Sequence, residues 1–409
     1  MPKDRQILTY IDLFAGCGGL SLGLHNSSAW QGIFAIERSP DAFKTLSFNL
    51  IENSDHFAWP DWLPVENHDI RTVLQKYRRN LISLKGHIDL IVGGPPCQGF
   101  SFAGRRQEED ERNTMVHPYL DFIKLVRPRT ILFENVKGFK LGFRNSDCQR
   151  GIPYSEIVVA KLRKLGYKDA QAQIINFSNF GIPQERQRCI IYGTIDGTSD
   201  LFFDALYKKA QSFLRTKGLH STQILKSAIS DLKASNGSVA SPDSKGFKAG
   251  VYASSPESAY QKLMRKKSCQ VPDSHRFANH TWAVREKFKQ VIKLKLTSQD
   301  VREIFGTKKA STKLLYPDLP TPTLTTLPDD YVHYSEPRIL TVREYARIQS
   351  FPDWYEFKGK YTTGGDRRKF EVPRYSQIGN AIPPLFGELA GLTMSETVQG
   401  VSRGTDIAI

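Results

Sequence analysis

Short apolar runs alternate with amphipathic stretches along the first half of the chain. The apolar runs predict buried strands, and they lie at residues 9–14, 32–36, 88–92, 129–133, 170–175 and 189–193. Helices are predicted between them, beginning near residues 20, 119 and 155. A regular succession of strands and helices is typical of an α/β fold with a mostly parallel sheet.

This alternation fades between residues 196 and 335, where the chain becomes irregular. Basic amphipathic helices are predicted there at 282–295 and 297–305, and an extended Pro- and Thr-rich segment is predicted at 317–328. Regular helix returns at Thr341, which with Glu344 forms the sequence pattern of a capping box. An apolar helix is predicted at 385–394. The pattern therefore predicts an irregular insert within an α/β chain.

The charge of the chain is concentrated in that insert. The 409 residues carry a formal net charge of +15. Residues 201–330 contain 22 basic and 11 acidic side chains, so they account for +11 of that total. Such a basic stretch favours a polyanionic partner, most often nucleic acid. A merely solvated basic surface is the alternative, and charge alone does not exclude it.

Cysteine usage and hydropathy bound the class of protein. The five cysteines are widely spaced and form no CxxC pair, which argues against a disulfide framework and against a zinc or other metal site. No apolar stretch approaches the length of a membrane span, and the first residues do not resemble a signal peptide. We therefore expect a protein of a reducing cytosol that does not enter a membrane.

A glycine-rich turn follows the first predicted strand. Residues 15–19 read Ala-Gly-Cys-Gly-Gly and lead into a helix, while the second strand ends in Glu37, about 20 residues further on. This order is typical of folds that bind nucleotide-like cofactors, with the acid accepting hydrogen bonds from ribose hydroxyls. The spacing is not GxGxxG and no phosphate-binding lysine follows. The sequence therefore favours a nucleoside without a pyrophosphate.

A second loop, residues 93–101, carries a single cysteine, Cys97. Two glycines and two prolines follow the apolar run 88–92, and they predict a tight, stiff turn. A rigid loop that holds a thiol at one reacting atom suits a nucleophile. The alternative is a buried structural cysteine beside an ordinary turn, which leaves the two glycines and two prolines unexplained.

Charged residues lie near the ends of other predicted strands. Glu134 follows the strand 129–133, at the sheet edge where such folds bind ligands, and Asp69 is a second acid predicted at a strand end. Glu134 as a helix N-cap or surface acid is the alternative. Arg186 and Arg188 are two residues apart at a strand start, so we expect them to point the same way, although both could be solvated charges.

Six segments together resemble the DNA (cytosine-5) methyltransferase family of bacterial restriction-modification systems. They occur in the order of that family, at residues 12–19, 94–101, 134–136, 184–188, 338–347 and 379–381. The resemblance implies a Rossmann-like domain that binds S-adenosylmethionine, formed by residues 1–195 and 336–409. It implies that residues 196–335 are a smaller, irregular target-recognition domain.

The resemblance also implies the partners and the reaction. The substrate would be double-stranded DNA, a cognate restriction endonuclease would be a functional partner, and the protein would be a monomer of the bacterial cytosol. Cys97 would add to C6 of a flipped-out cytosine, and Glu134 would protonate N3. Arg188 would hold the base carbonyl and Glu134 in line, with Arg186 completing the catalytic set.

The cofactor residues follow from the same likeness. The walls around the methionine and adenosine parts would be Phe14, Gly16, Cys17, Gly19 and Leu20. Glu37 would bind the ribose, while Asp69, Ile70 and Met115 would contact the adenine. Pro96 would lie between cofactor and base, and the segment that closes the site would contribute Asn380 and Ala381.

Two other functions are weighed against this one. The transfer-RNA branch of the family has a short recognition domain with a Cys-Phe-Thr signature, whereas the only cysteine between 196 and 335 is Cys269, followed by Gln270 and Val271. A catalytically silent homologue that binds nucleic acid would be expected to lose Cys97 or the glycine loop. The sequence therefore favours an active DNA methyltransferase.

Overall fold

The chain divides into two compact units. The computed structural model describes residues 7–96, 115–141, 151–197, 199–253, 255–268, 271–306, 312–363, 367 and 371–404. One unit comprises Met1–Phe177, Gln187–Ser212 and Phe386–Ile409, and the other comprises Ser178–Arg186 and Phe213–Leu385. The chain thus passes between the units four times. Residues 336–385, which the sequence assigns to the catalytic domain, group instead with the second unit.

A six-stranded sheet forms the centre of the first unit. Its strands are β1 (Leu8–Leu13), β2 (Trp30–Ile36), β3 (Leu90–Gly93), β4 (Thr130–Val136), β5 (Gln171–Asn176) and β7 (Gln187–Thr194). Their order is β2-β1-β3-β4-β7-β5, and β7 pairs antiparallel with both of its neighbours while the other pairs are parallel. The predicted α/β fold class is therefore confirmed, and the carboxyl ends of β1 to β4 lie along one edge.

Helices cover the sheet because its strands are apolar on both faces. In this unit they are α1 (Gly19–Asn26), α2 (Pro40–Ser47), α3 (Ile70–Lys76), α4 (Arg78–Ser83), α5 (Val116–Val126), α6 (Tyr154–Lys164) and most of α7 (Ser199–Thr216) and α14 (Pro384–Gly404). Alternate strand residues such as Ile11, Ile91 and Ile131 pack with α3 to α6 in one apolar cluster. The amphipathic helix α7 lies where the sequence suggested irregular structure.

Helix α14 packs closely on α1 through small residues. A Cβ on Gly387 would lie 3.2 Å from the Cα of Gly23, so the two backbones approach where neither has a side chain. The Trp30 indole N–H donates to the carbonyl oxygen of Gly391 at 2.8 Å. The last helix of the chain is therefore built into the first unit.

The second unit is a collection of short elements. Its helices are α8 (Leu225–Ile229), α9 (Ala259–Met264), α10 (Trp282–Leu294), α11 (Ser298–Phe305), α12 (Val342–Ile348) and α13 (Arg374–Asn380). Its strands are β6 (Gln184–Glu185), β8 (Ser238–Ala240), β9 (Lys248–Gly250), β10 (Lys313–Leu314), β11 (Thr321–Pro322) and β12 (Tyr331–Val332), which form two-stranded pairs. The capping box at Thr341 and Glu344 is present as predicted. No helix among the described residues is long and apolar enough to cross a membrane.

Buried arginines of the α12 segment organise this second unit. Arg338 forms a bidentate pair with Glu344, with both N···O distances at 2.7 Å. Burial opposes ionisation of Glu344, but Arg338 outweighs it and lowers the pKa of that carboxyl to about 2. One turn of helix after Glu344, Arg347 is completely buried between Asp231 and Asp353. Charged side chains therefore occupy positions that an apolar core fills elsewhere.

Candidate active site

The glycine loop turns sharply at the carboxyl end of β1. Phe14, Gly16 and Gly18 all have positive φ angles, of 59°, 58° and 83°. This conformation is strained for most side chains and explains the two glycines. A Cβ on Gly16 would meet no atom within 4 Å, so space remains beside the backbone at that point. The loop can therefore approach a ligand closely.

Glu37 joins this loop to the end of β2. Its Oε2 accepts a hydrogen bond from the Gly16 N–H at 2.9 Å, and its Oε1 accepts one from the Ser39 N–H at 2.7 Å. Burial raises the pKa of Glu37, and these backbone donors partly offset that effect. The acid predicted from its spacing to the glycines thus lies against the glycine loop.

Asp12 lies beside the glycine loop, and the spacing argument did not single it out. It is buried, and its Oδ2 accepts a hydrogen bond from the Ser21 hydroxyl at 2.6 Å, so it links the end of β1 to α1 across the loop. Burial raises the pKa of Asp12 to about 7. The signal was an acidic residue inside the apolar run 9–14.

Asp69 has a different local role from the one predicted. It does not end a strand: it is the N-cap of α3, and its Oδ1 accepts from the Arg71 N–H at 2.8 Å. The preceding residue, His68, donates its N–H to the Glu37 carbonyl oxygen at 2.8 Å, which holds the segment beside β2. Ile70 belongs to the apolar cluster under the sheet, and Met115 packs against that cluster.

Three loop residues predicted to line the cofactor have distinct surroundings. Cys17 is buried, and burial raises the pKa of its thiol well above the usual range, so it is not an activated nucleophile. Gly19 begins α1. The Leu20 side chain faces α14, since its Cδ1 would lie 3.3 Å from a Cβ on Gly387.

The loop after β3 is held close to β1 and β4. A Cβ on Gly93 would overlap the carbonyl oxygen of Leu13, and one on Gly94 would lie 2.8 Å from Oε2 of Glu134. The Asn135 side-chain amide donates to the Pro95 carbonyl oxygen at 3.1 Å, a contact that the sequence did not reveal. Pro96 is exposed. Cys97, the next residue, lies outside the described residues.

Glu134 and Arg188 form an ion pair at the carboxyl end of β4. The Arg188 Nε lies 2.9 Å from the Glu134 Oε1, and only 12% and 13% of the two side chains is exposed. The antiparallel register pairs Val136 with Arg188, so Arg188 and Glu134 project from the same face. Burial lowers the pKa of Arg188, and its contact with Glu134 offsets part of that effect.

That the two arginines of this segment point the same way stays a prediction, and different contacts are found for Arg186. It belongs to the second unit, where its side chain is buried and its Nη2 donates to the carbonyl oxygens of Gly379 and Ala381 at 2.8 and 3.3 Å. Asn380, between these two acceptors, is exposed at the end of α13. The structure therefore groups Arg186 with Asn380 and Ala381.

Comparison with known proteins decides the family. The family described as C-5 cytosine-specific DNA methylase matches residues 8–394. The chain belongs to this family. The Type II methyltransferase M.DdeI of Desulfomicrobium norvegicum is 32% identical over 396 residues, which span 93% of this chain and 87% of that protein. M.PspPI of a Psychrobacter species is 30% identical over 93% of this chain and 77% of its own length.

Solved structures agree on the fold. A structure described as a DNA modification methyltransferase encoded within an E. coli prophage superposes with a TM-score of 0.62 at 23% identity and covers 96% of this chain and 99% of its own. The S. pombe Dnmt2 methyltransferase gives a TM-score of 0.54 at 15% identity and covers 98% of this chain and all of its own. The Rossmann-like methyltransferase fold is confirmed.

This methylase is thus a DNA (cytosine-5)-methyltransferase that uses S-adenosylmethionine, as predicted. The glycine loop fits such a cofactor on two observations. Space is present beside Gly16, and the partly buried Glu37 carboxylate lies next to it at the end of β2. Both features belong to the first unit.

Proposed function

We propose that this methylase modifies C5 of a cytosine flipped out of a specific duplex DNA sequence, through a covalent bond between Cys97 and C6. The observation that carries this proposal is the nearly buried Glu134–Arg188 pair, which lies against Gly94 in the loop leading into Cys97. Gly94 contacts Glu134, and Cys97 follows three residues later in the chain. The proposed acid therefore contacts the loop that carries the proposed nucleophile.

Each of these residues has a defined task in the reaction. The Cys97 thiolate adds to C6 while the Glu134 carboxyl gives a proton to N3, which leaves C5 electron-rich. S-adenosylmethionine, when bound, supplies the electrophilic methyl group that C5 takes. The C5 proton then leaves to water, the bond from sulfur to C6 breaks to restore the ring, and the N3 proton returns to Glu134.

Arg188 is the positioning residue for Glu134 in this proposal. A guanidinium that is nearly buried and hydrogen-bonded fixes the carboxyl in one orientation. Its remaining donors suit the carbonyl oxygen of a cytosine held against the same carboxyl. Arg186 would contribute to catalysis indirectly in this proposal. Its side chain donates to backbone carbonyl oxygens of the segment that contains Asn380 and Ala381, and so holds that segment in place.

An enzyme that acts on C5 and C6 of a cytosine cannot reach these atoms while the base is stacked inside a duplex. The target must therefore leave the helix, at a cost of a few kcal/mol that contacts with the protein offset. We assign those contacts to the second unit, which contains most of the predicted recognition segment 196–335. The curated relatives are named as Type II methyltransferases, so we propose a role in restriction-modification with a cognate endonuclease. We also propose a monomer of the bacterial cytosol.

The cofactor-binding residues make a testable group. In our proposal Glu37 binds the ribose, beside Phe14, Gly16, Cys17, Gly19 and Leu20. Asp69, Ile70 and Met115 lie near the adenine, and Pro96, Asn380 and Ala381 complete the site.

The Glu37→Gln variant is expected to weaken binding of S-adenosylmethionine about 10- to 100-fold, as hydrogen bonds to a charged group contribute roughly 1.5–3 kcal/mol. The amide also disturbs the glycine loop, because its single oxygen can accept from only one of the two backbone N–H groups, of Gly16 and Ser39, that Glu37 binds. Calorimetric titration measures the effect. Glu66→Gln, at an exposed position, is the matched control and should bind as wild type does. Equal affinity for both variants would contradict the assignment of Glu37.

The proposed chemistry is tested by trapping. Wild-type protein with S-adenosylmethionine and duplex DNA containing 5-fluorocytosine should form an adduct that survives denaturant, because fluorine at C5 cannot leave as a proton does. Cys97→Ala should form none, while Cys269→Ala, at a cysteine with no assigned role, should still form it. Transfer of labelled methyl groups to transfer RNA but not to duplex DNA would instead favour the RNA enzyme. Absence of an adduct on DNA that wild type methylates would refute the covalent mechanism.

A further inference from the structure

A surface cavity of about 310 Å³ lies within the second unit, built from residues that the reaction above does not use. Its charged and hydroxyl side chains come from two stretches of sequence, before and after α12. They are Asp243, Ser244, Arg276, Lys360, Tyr361, Thr362 and Arg374. Three cations and one anion line a concave surface, so the cavity suits an anionic group better than a neutral one.

Arg276 is the cation that remains available in this cavity. Its guanidinium carbon lies 4.0 Å from the ring centre of Phe247 and 3.7 Å from that of Tyr361. Its Nη1 donates to the Ser244 hydroxyl at 3.2 Å. Its Nε is shielded from solvent and has no hydrogen-bond partner among the described residues, where Arg276 also forms no ion pair. A planar donor group is thus fixed against two rings with donors unused.

The other charges around the cavity are already paired. Asp243 accepts from Arg374 Nη1 at 2.6 Å and from the Tyr361 hydroxyl at 2.9 and 3.0 Å. The Lys360 Nζ lies 2.5 Å from the Glu371 Oε1. Arg374 also donates to the Gly359 carbonyl oxygen at 3.0 Å. These contacts keep Arg374 and Tyr361 in place, and Tyr361 in turn supports Arg276, so the site is preorganised.

We propose that this cavity binds one phosphate group of the DNA backbone, with Arg276 as its principal ligand. The proposal rests on the proposed function, because it takes duplex DNA as the substrate. An arginine fork held flat against aromatic rings loses little freedom when it donates two hydrogen bonds to phosphate oxygens. The Thr362 hydroxyl and the remaining N–H groups of the Lys360 ammonium can supply further donors.

An arginine fork can also read the edge of a guanine, but the surroundings favour phosphate. A base edge is flat and offers acceptors to one or two donors in its plane. Here cations and hydroxyls converge on one concave space, as they do around an oxyanion. A backbone contact fixes the position of the protein on the duplex and carries no sequence information.

The test is the salt dependence of DNA binding. Bisulfite sequencing of DNA methylated by wild type first gives the target site, and a duplex with that site is compared with a shuffled duplex. Arg276→Gln is expected to reduce the slope of log Kd against log salt by about 1 and to weaken both duplexes equally. Lys360 is exposed, so Lys360→Gln should leave folding intact. This variant should also weaken binding to both duplexes. Arg215→Gln, exposed on α7 away from the cavity lining, is the charge-matched control.

Three outcomes would overturn the proposal. These are an unchanged slope for Arg276→Gln, a loss confined to the target duplex, and binding of inorganic phosphate by wild type without any effect of Arg276→Gln on DNA. Methyl transfer by wild type to the same duplex is measured in parallel. If wild type transfers methyl groups and the slope is unchanged, only this inference fails; if wild type transfers none, the proposed function fails.

Discussion

Glu134→Gln is expected to lower kcat for methyl transfer about 10²- to 10⁴-fold, the range that general acid catalysis contributes. Glutamine keeps the shape of the side chain and can still donate a hydrogen bond to N3. It cannot give up a proton there, so C6 stays a poor electrophile for the Cys97 thiolate. It also removes the carboxylate that lies 2.9 Å from Arg188.

The measurement is single-turnover methyl transfer to duplex DNA at saturating S-adenosylmethionine. Binding of the cofactor should be unchanged, because Glu37 and the glycine loop are not altered. Glu156→Gln makes the same substitution at an exposed position in the first turn of α6 and should leave kcat unchanged. A Glu134→Gln rate equal to wild type would remove Glu134 from the mechanism and with it the observation on which the proposed function rests.

Arg347→Met is expected to lower the free energy of unfolding of the second unit by about 3–5 kcal/mol, the usual effect of removing one partner of a buried ion pair. Arg347 is fully buried and all five of its donors are used. Nε and Nη2 bond Asp353 at 2.6 Å, and Nη1 and Nη2 bond Asp231 at 3.1 and 3.2 Å. Nη1 also donates to the Ala228 carbonyl oxygen at 2.8 Å. Methionine fills the space but leaves two buried carboxylates side by side.

The pH dependence of this loss identifies its cause. Burial favours the neutral form of Asp353, but Arg347 overcomes it and holds the pKa of that carboxyl below its usual value. Burial already raises the pKa of Asp231 in spite of Arg347. Without Arg347 the folded-state pKa of Asp231 should rise further, and that of Asp353 should rise above its value in the unfolded chain. The free-energy cost of burying the two charged carboxylates then applies at pH values above their raised pKa values, and it shrinks as the carboxylates bind protons. The loss of stability in Arg347→Met should therefore be smaller at about pH 5 than at about pH 8.

Urea unfolding followed by circular dichroism at both pH values measures the deficit. Arg285→Met, at an exposed position of α10, removes the same charge from the surface and should leave stability nearly unchanged. A deficit that is independent of pH would point to lost packing rather than to the loss of the Arg347 charge beside the two carboxylates.

Features that depend on short stretches of sequence were predictable. The strand predicted at 9–14 is β1 (Leu8–Leu13), and the glycines after it adopt the left-handed angles that such a turn requires. The Thr341 capping box is present because both of its hydrogen bonds join residues three apart in one turn of helix. Glu37 could be predicted because β1 and β2 are adjacent parallel strands.

Features for which the local sequence fits two different structures could not be predicted. Asp69 precedes a helix directly, and a short acidic side chain there caps the helix as readily as it ends a strand. The prediction for Arg186 and Arg188 assumed one continuous strand. Strand β6 ends at Glu185 and β7 begins at Gln187, so Arg186 lies at the break and the alternation of side chains does not carry across it.

The key pair of the site depends on long-range register. Glu134 could be predicted from its position after an apolar run, but its contact with Arg188 follows from the antiparallel pairing of β4 with β7. Nothing within either segment specifies that pairing. The cavity around Arg276 likewise joins residues more than a hundred positions apart in the chain, such as Asp243 and Arg374, so no local pattern indicated it.

The four crossings of the chain between its units have a consequence for synthesis on the ribosome. Strand β6 at Gln184–Glu185 pairs with β11 at Thr321–Pro322, and α14 supplies Gly391 to the indole of Trp30. A nascent chain must hold early segments without their partners until these late ones emerge, a delay during which exposed apolar surface favours aggregation. Expression as two separate contiguous fragments would leave both units without required segments, whereas a chaperone that binds the exposed apolar surface should raise the yield of folded protein.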